Sequence, residues 1–117
     1  MKYIFLSLFM FIALDANSKS YQDEIDHLLN YVGTTKCTYI RNGTSHNGEN
    51  ARKHIQRKYD YFENDIESTE DFILLSATKS TMSGSKYYIS CPNKPNIESS
   101  KWLLDELHKY RNLKQGK

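Results

Sequence analysis

The sequence predicts an α+β domain of four helices and a short two-stranded antiparallel ribbon, in the order α-β-α-α-β-α, closed by one disulfide. Three observations carry that expectation. Apolar residues recur at helical spacing in four separate stretches. Two short runs, CTYIR at 37–41 and YYISC at 87–91, are rich in the aromatic and β-branched residues that strands favour. The only two cysteines, Cys37 and Cys91, begin the first of these runs and end the second.

The N-terminus reads as an export signal rather than as part of that fold. Lys2 supplies a positive region, residues 3–14 (YIFLSLFMFIAL) an unbroken apolar run, and DANSKS a polar end. The run is about twelve residues, whereas a membrane-spanning helix needs roughly twenty, so it is too short to be an anchor. Ala16 and Ser18 fit the small-residue positions of a cleavage site, which sets residues 1–18 as signal peptide and 19–117 as a single small exported domain. No cysteine follows the apolar run, so no lipid anchor is expected. The expected location is the periplasm or the medium. Removing Lys2 and Asp15 with the signal leaves 15 basic and 13 acidic side chains and the same formal charge of +2. That balance implies no nucleic acid or other polyanion as partner.

A chain of this length makes one domain that gains from a covalent staple. In an exported chain two lone cysteines are expected to pair, a bridge worth roughly 4 kcal/mol in the chain-entropy model. A pair of buried thiols is the structural alternative. A zinc site is the poorer one, because no second pair of soft ligands sits near either cysteine.

The elements follow in order. Ser20 with Asp23 resembles a capping box, Ile25, Leu28, Leu29 and Val32 form an i, i+3, i+4, i+7 stripe, and Gly33 is placed to stop the first helix. Residues 37–41 are a strand broken by Asn42-Gly43. A second helix covers about 48–62, with Ala51, Ile55, Tyr59 and Phe62 inward. Ser68 and Asp71 cap a third helix carrying Phe72, Ile73, Leu75 and Ala77. Residues 87–91 form the second strand, ended by Pro92 and Pro95, and a last helix over about 99–111 buries Trp102, Leu103, Leu107 and Tyr110. Residues 112–117 are read as a frayed end.

A bridge between the start of one strand and the end of the other requires the strands to run antiparallel. If the cysteines face each other directly, Tyr39 lies opposite Ile89 and Arg41 opposite Tyr87; a diagonal bridge would shift this by a residue or two. Either way the Arg41-Asn42-Gly43 turn comes beside the Ser83-Gly84-Ser85-Lys86 loop.

The segments YIRNG (39–43), AxxHIxxKY (51–59), STEDFI (68–73), SxxSGxxY (80–87) and WLxxLxxYR (102–111) resemble, in the same order and at similar spacing, the YfeK-like family of small exported bacterial proteins, a domain family of unknown function. The R-N-G and S-x-x-S/T-G segments are its most specific parts. Ser85-Lys86-Tyr87 departs from the family's more frequent Lys-Pro-Tyr. The resemblance implies export, size and architecture in a bacterial periplasm, and no activity.

Candidate site residues gather around the two loops. Arg41 can offer its planar fork to a carboxylate or phosphate, or brace the fold against Glu70 or Tyr87. Asn42-Gly43 can present backbone amides, although a tight turn with positive φ explains both residues. With Thr44 they also form a glycosylation sequon, which matters only in a eukaryotic source. His54 lies four residues before Lys58 along the edge of the core and is either a general base or a hydrogen-bonded packing residue. Ser80 and Ser83 are ligand donors or turn-formers. Glu70, in the first turn of a helix, is favoured there by the helix dipole alone.

Metalloprotease, nucleophile-elbow, P-loop and dinucleotide motifs are absent. The S-x-x-K matches at Ser76 and Ser83 lack their S-D-N and K-T-G partners. The four histidines have no metal-binding spacing, and no cofactor is implied. Nine tyrosines suit either recognition or a small core. The sequence therefore predicts a module binding a ligand or protein of the cell envelope through Arg41, Asn42, His54, Ser80 and Ser83, without catalysis. The competing expectations are a small envelope hydrolase using His54, Glu70 and a serine, and an inhibitor or chaperone-like protein acting through its surface.

Overall fold

The computed structural model describes residues 20–116; the expected signal peptide, residues 1–18, and its expected cleavage site near Ser18 lie outside them. Four α-helices and one four-stranded sheet are found among the described residues. In chain order they are α1 (Ser20–Thr34), β1 (Thr38–Arg41), β2 (Thr44–His46), α2 (Gly48–Phe62), a 3₁₀ turn (Glu63–Asp65), α3 (Thr69–Ser76), β3 (Tyr88–Ser90), β4 (Ile97–Glu98) and α4 (Ser99–Lys114). The mixed α+β class stands. The two-stranded ribbon is corrected to a fully antiparallel sheet in the order β2-β1-β3-β4.

The central pair is the one the cysteines imply. Cys37 and Cys91 are joined, with Cα atoms 4.4 Å apart, the spacing of directly opposed residues in a non-hydrogen-bonded antiparallel pair. Beyond the bridge Thr38 pairs with Ser90, Tyr39 with Ile89 and Ile40 with Tyr88. The next step of that register sets Arg41 across from Tyr87. Strand β2 arises because Asn42-Gly43 is a two-residue hairpin turn: both residues have positive φ, 53° and 74°, which lets the chain double back and pair Arg41 with Thr44. Strand β4 is two residues that return along β3 after the Pro92-to-Pro95 segment.

The helices bury their expected stripes. Ile25, Leu28, Leu29 and Val32 of α1, Ala51, Ile55 and Tyr59 of α2, Phe72 and Ile73 of α3, and Leu103 and Leu107 of α4 close on Tyr39, Tyr87 and Ile89 of the sheet. Asn47 caps α2 by accepting from the Asn50 amide. Ser68 caps α3 by accepting from the Asp71 amide, and Asp71 in return accepts from the Glu67 amide. Helix α4 runs on to Lys114, so the end is not frayed from Asn112. Trp102 and Tyr110 are half-buried rather than enclosed; Trp102 packs on Tyr31 and Tyr110 stacks on His27.

Gly33 does not stop α1, which continues to Thr34. It belongs with Gly48 to a close crossing of α1 and α2. A Cβ on Gly48 would lie 2.4 Å from the Val32 carbonyl oxygen, and one on Gly33 would lie 2.8 Å from Cδ of Arg52. The α2 helix is thereby held against α1, and its other flank is turned toward the β1–β3 end.

Candidate functional site

At the end of the sheet away from the disulfide the two polar loops meet. The Ser83 hydroxyl donates to the Asn42 side-chain carbonyl at 2.8 Å and accepts from the Ser85 amide. Within the second loop Ser80 shapes a tight turn: its hydroxyl accepts from the Ser83 amide, its carbonyl accepts from the Gly84 amide, and its own amide donates to the Ser85 carbonyl. Gly84 has a φ of 78°, which a residue with a Cβ rarely adopts. On the solvent face Ile40, Asn42, Gly43, Ser85, Lys86 and Tyr88 line a shallow groove of about 580 Å³.

Alternation along the strand puts Arg41 on the opposite face, with Tyr39, toward α2. There it meets His54 and Lys58, which are one helical turn apart. Lys58 Nζ donates to the Lys79 carbonyl at 2.6 Å and to the Tyr87 hydroxyl at 3.3 Å, and sits 5.1 Å above the Tyr87 ring. The Tyr87 hydroxyl is 3.0 Å from His54 Nε2. An ammonium can only donate, so the Tyr87 hydroxyl accepts from Lys58; toward His54 Nε2 it donates or accepts according to the imidazole tautomer.

The electrostatics of this cluster are one-signed. Burial, then Arg41, Lys58, Arg57 and His46, push the His54 pKa down to about 4, so the ring is neutral at pH 7. Burial and Arg41 lower the Lys58 pKa, and burial and Arg41 also lower that of His46. Burial raises the Tyr87 hydroxyl, against the opposing pull of Arg41. Every charge acting on His54 is positive. Among the described residues the Arg41 guanidinium has neither a hydrogen bond nor an ion pair, although the side chain is half-buried.

The expected hydrolase constellation does not assemble. His54 is bonded to Tyr87, whereas Glu70 lies on α3 and accepts from Arg111 Nη1 at 2.8 Å. Ser80 and Ser83 bond within the loops and to Asn42. The brace from Arg41 to Glu70 is excluded for the same reason. A network that the sequence left unmarked explains it: Arg111 holds Glu24 through Nε and Nη2 at 2.8 and 2.9 Å and Glu70 through Nη1, and Thr69 donates to Glu24. The hydrogen bonds from Arg111 hold both carboxyls below the usual carboxylate range. These groups are far apart in the chain, and no local motif could have paired them.

The site and fold define a one-disulfide α+β domain with a cationic, carboxylate-free cluster beside two joined loops, and no helix among the described residues is long and apolar enough to cross a membrane. The chain belongs to a family of unknown function, DUF5329, whose model matches residues 19–111. It is similar to the "Uncharacterized protein YfeK" of Salmonella typhimurium (strain LT2), 34% identical over 74 residues. That match spans 62% of this chain and 62% of the relative, so just under two thirds of the relative's length is covered. The resemblance to the YfeK-like family is borne out. No solved structure matches the chain.

Proposed function

We propose that residues 19–117 are a single exported domain, released by cleavage near Ser18 into the periplasm or the medium, that binds a ligand or protein of the cell envelope at the loop end of its sheet. The binding residues are Arg41, Asn42, His54, Ser80 and Ser83, with Lys58 added to them. The observation that carries this reading is the half-buried Arg41 guanidinium, which has no hydrogen-bond or ion-pair partner among the described residues and stands beside the loops that the Ser83–Asn42 bond ties together. A disulfide suits an oxidising compartment. The arrangement holds donors and cations without a nucleophile–base pair, and so favours binding over turnover.

The test is a thermal-shift screen of envelope glycans, peptidoglycan fragments and periplasmic extract. A ligand at about a hundred times its dissociation constant adds roughly 2.7 kcal/mol of stability. Ser83→Ala, which releases one loop from the other, should reduce the shift. A protein that no envelope component stabilises would refute the binding role. Export is checked separately by mass spectrometry of the secreted product, expected to start at or near Lys19; retention of residues 3–14 in a membrane fraction would contradict it.

A further inference from the structure

The cluster on the inner face of β1 has a chemistry that narrows the ligand. The other arginines of the described residues are disposed as folded proteins usually arrange them. Arg111 is held by two carboxylates and Arg52 pairs with Glu49 at 2.9 Å, while Arg57 is exposed to water. Arg41 differs: it is half-buried, unpaired among the described residues, and acts on His54, Lys58 and His46 with charge of its own sign. Burial first, and then the like charge of Arg41, lowers the pKa of both His54 and Lys58, so cations are held here in a partly desolvated place without a counter-charge. Lys58 is not free to swing away, because the Lys79 carbonyl and the Tyr87 hydroxyl hold it. A held ammonium therefore lies within electrostatic reach of an unbonded guanidinium fork, which suits planar or tetrahedral oxyanions. His54 Nδ1 has no hydrogen-bond partner among the described residues, and the protonated ring supplies a third donor there.

We propose that Arg41, Lys58 and His54 bind an oxyanion, a phosphate or carboxylate group carried by the ligand. This inference rests on the binding-module reading above and names the chemistry of that site. The anion replaces the missing counter-charge, and binding favours the protonated form of His54.

The test uses the purified protein in a zwitterionic buffer. Inorganic phosphate and malonate are titrated separately against chloride at equal ionic strength, and the four histidine rings are followed by NMR as pH is varied. Saturating anion is expected to raise the His54 pKa by on the order of one unit, a tenfold preference of the anion for the protonated ring, and to raise the melting temperature, with chloride doing neither. A response to phosphate alone assigns the group as phosphate, and one to malonate alone as carboxylate. Arg41→Gln should fold, melt no lower than wild type without ligand, return the His54 pKa toward its ordinary value, and weaken anion binding roughly tenfold or more. The inference is overturned if neither anion moves His54 beyond the chloride control, if Arg41→Gln keeps the full response, or if Arg41→Gln cannot fold, which would make Arg41 a brace. If both anions fail while an uncharged envelope fragment still gives a shift that Ser83→Ala reduces, the oxyanion inference falls and the binding module stands. If an anion binds through Arg41 and no envelope component does, the inference stands and the module reading falls.

Discussion

Replacing Gly48 with alanine sets two effects against each other, and the structure decides between them. Gly48 is the first residue of α2, and helix propensity alone favours alanine by up to about 1 kcal/mol. An added Cβ would lie 2.4 Å from the Val32 carbonyl oxygen, 3.1 Å from Thr35 Cγ2 and 3.2 Å from the Gly33 carbonyl oxygen. Two of these three atoms are backbone of α1, whose helix cannot yield without disturbing the buried stripe at Leu28 and Val32. Overpacking of this kind costs about 1–3 kcal/mol. The clash therefore wins, and Gly48→Ala should be destabilised by about 1–2 kcal/mol, a fall in melting temperature of roughly 4–16 °C for a domain of this size. Gly33→Ala is the internal control. Its Cβ meets only the side chain of Arg52, at 2.8 Å from Cδ and 3.1 Å from Nε, and that side chain can rotate away at the loss of an exposed ion pair of small worth. Gly33→Ala should be neutral or slightly stabilising. Urea unfolding of both variants measures the difference; a Gly48→Ala protein as stable as wild type, or a Gly33→Ala protein that is the weaker of the two, would refute the close crossing of α1 and α2.

Three further outcomes are expected. The native protein should give no thiol titration until unfolded and reduced, and a Cys37→Ser/Cys91→Ser double variant should lose about 4 kcal/mol, because the bridge spans a sequence separation of 54 residues; two reactive thiols in the denatured, unreduced protein would contradict this. Between pH 6.5 and about 4 the unfolded chain protonates His54 while the folded protein does not, so stability should fall as pH falls through that window. Discounted for the partial exposure of the ring, the loss is about 1–2 kcal/mol, and a His54→Gln protein with the same pH slope in urea unfolding would show the attribution wrong. Arg111→Gln leaves Glu24 and Glu70 without their cation and should cost about 2 kcal/mol; a double-mutant cycle with Glu24→Gln that shows no coupling would deny Arg111 this role.

The core of the fold was legible in the sequence because its signals are local or covalent. The α1 stripe, the α2 stripe, the Ser68–Asp71 helix start, and the central strand pair each rest on spacing within a few residues or on the single possible disulfide. Strands β2 and β4 were missed because Thr44-Ser45-His46 and Ile97-Glu98 carry no apolar alternation of their own; they are strands because the neighbouring edge offers them backbone partners. Asn42-Gly43 reads in sequence as a turn with positive φ, which both residues adopt; that it closes a hairpin depends on Thr44 to His46 pairing back onto β1. Gly33 and Gly48 look like helix punctuation, yet their role is set by an interhelical contact between residues distant in the chain.

The site was legible in part. Arg41, His54 and the meeting of the loops follow from strand register and helix spacing, and the structure places them as adjacent features. Tyr87 reads in sequence as a strand residue opposite Arg41 and a possible brace for it, whereas its bonds to Lys58 and His54 depend on how α2 packs on the sheet. The destination of Glu70 was hidden because its partner Arg111 is on another helix and shared with Glu24.

On the proposed reading the Arg41 guanidinium, unpaired among the described residues, engages the ligand rather than holding the fold. The most direct measurement compares wild type and Arg41→Gln in thermal shift against the same envelope fractions. Arg41→Gln is expected to melt at an equal or higher temperature without ligand and to lose the shift that the active fraction gives the wild type; an undiminished shift in Arg41→Gln would contradict that role.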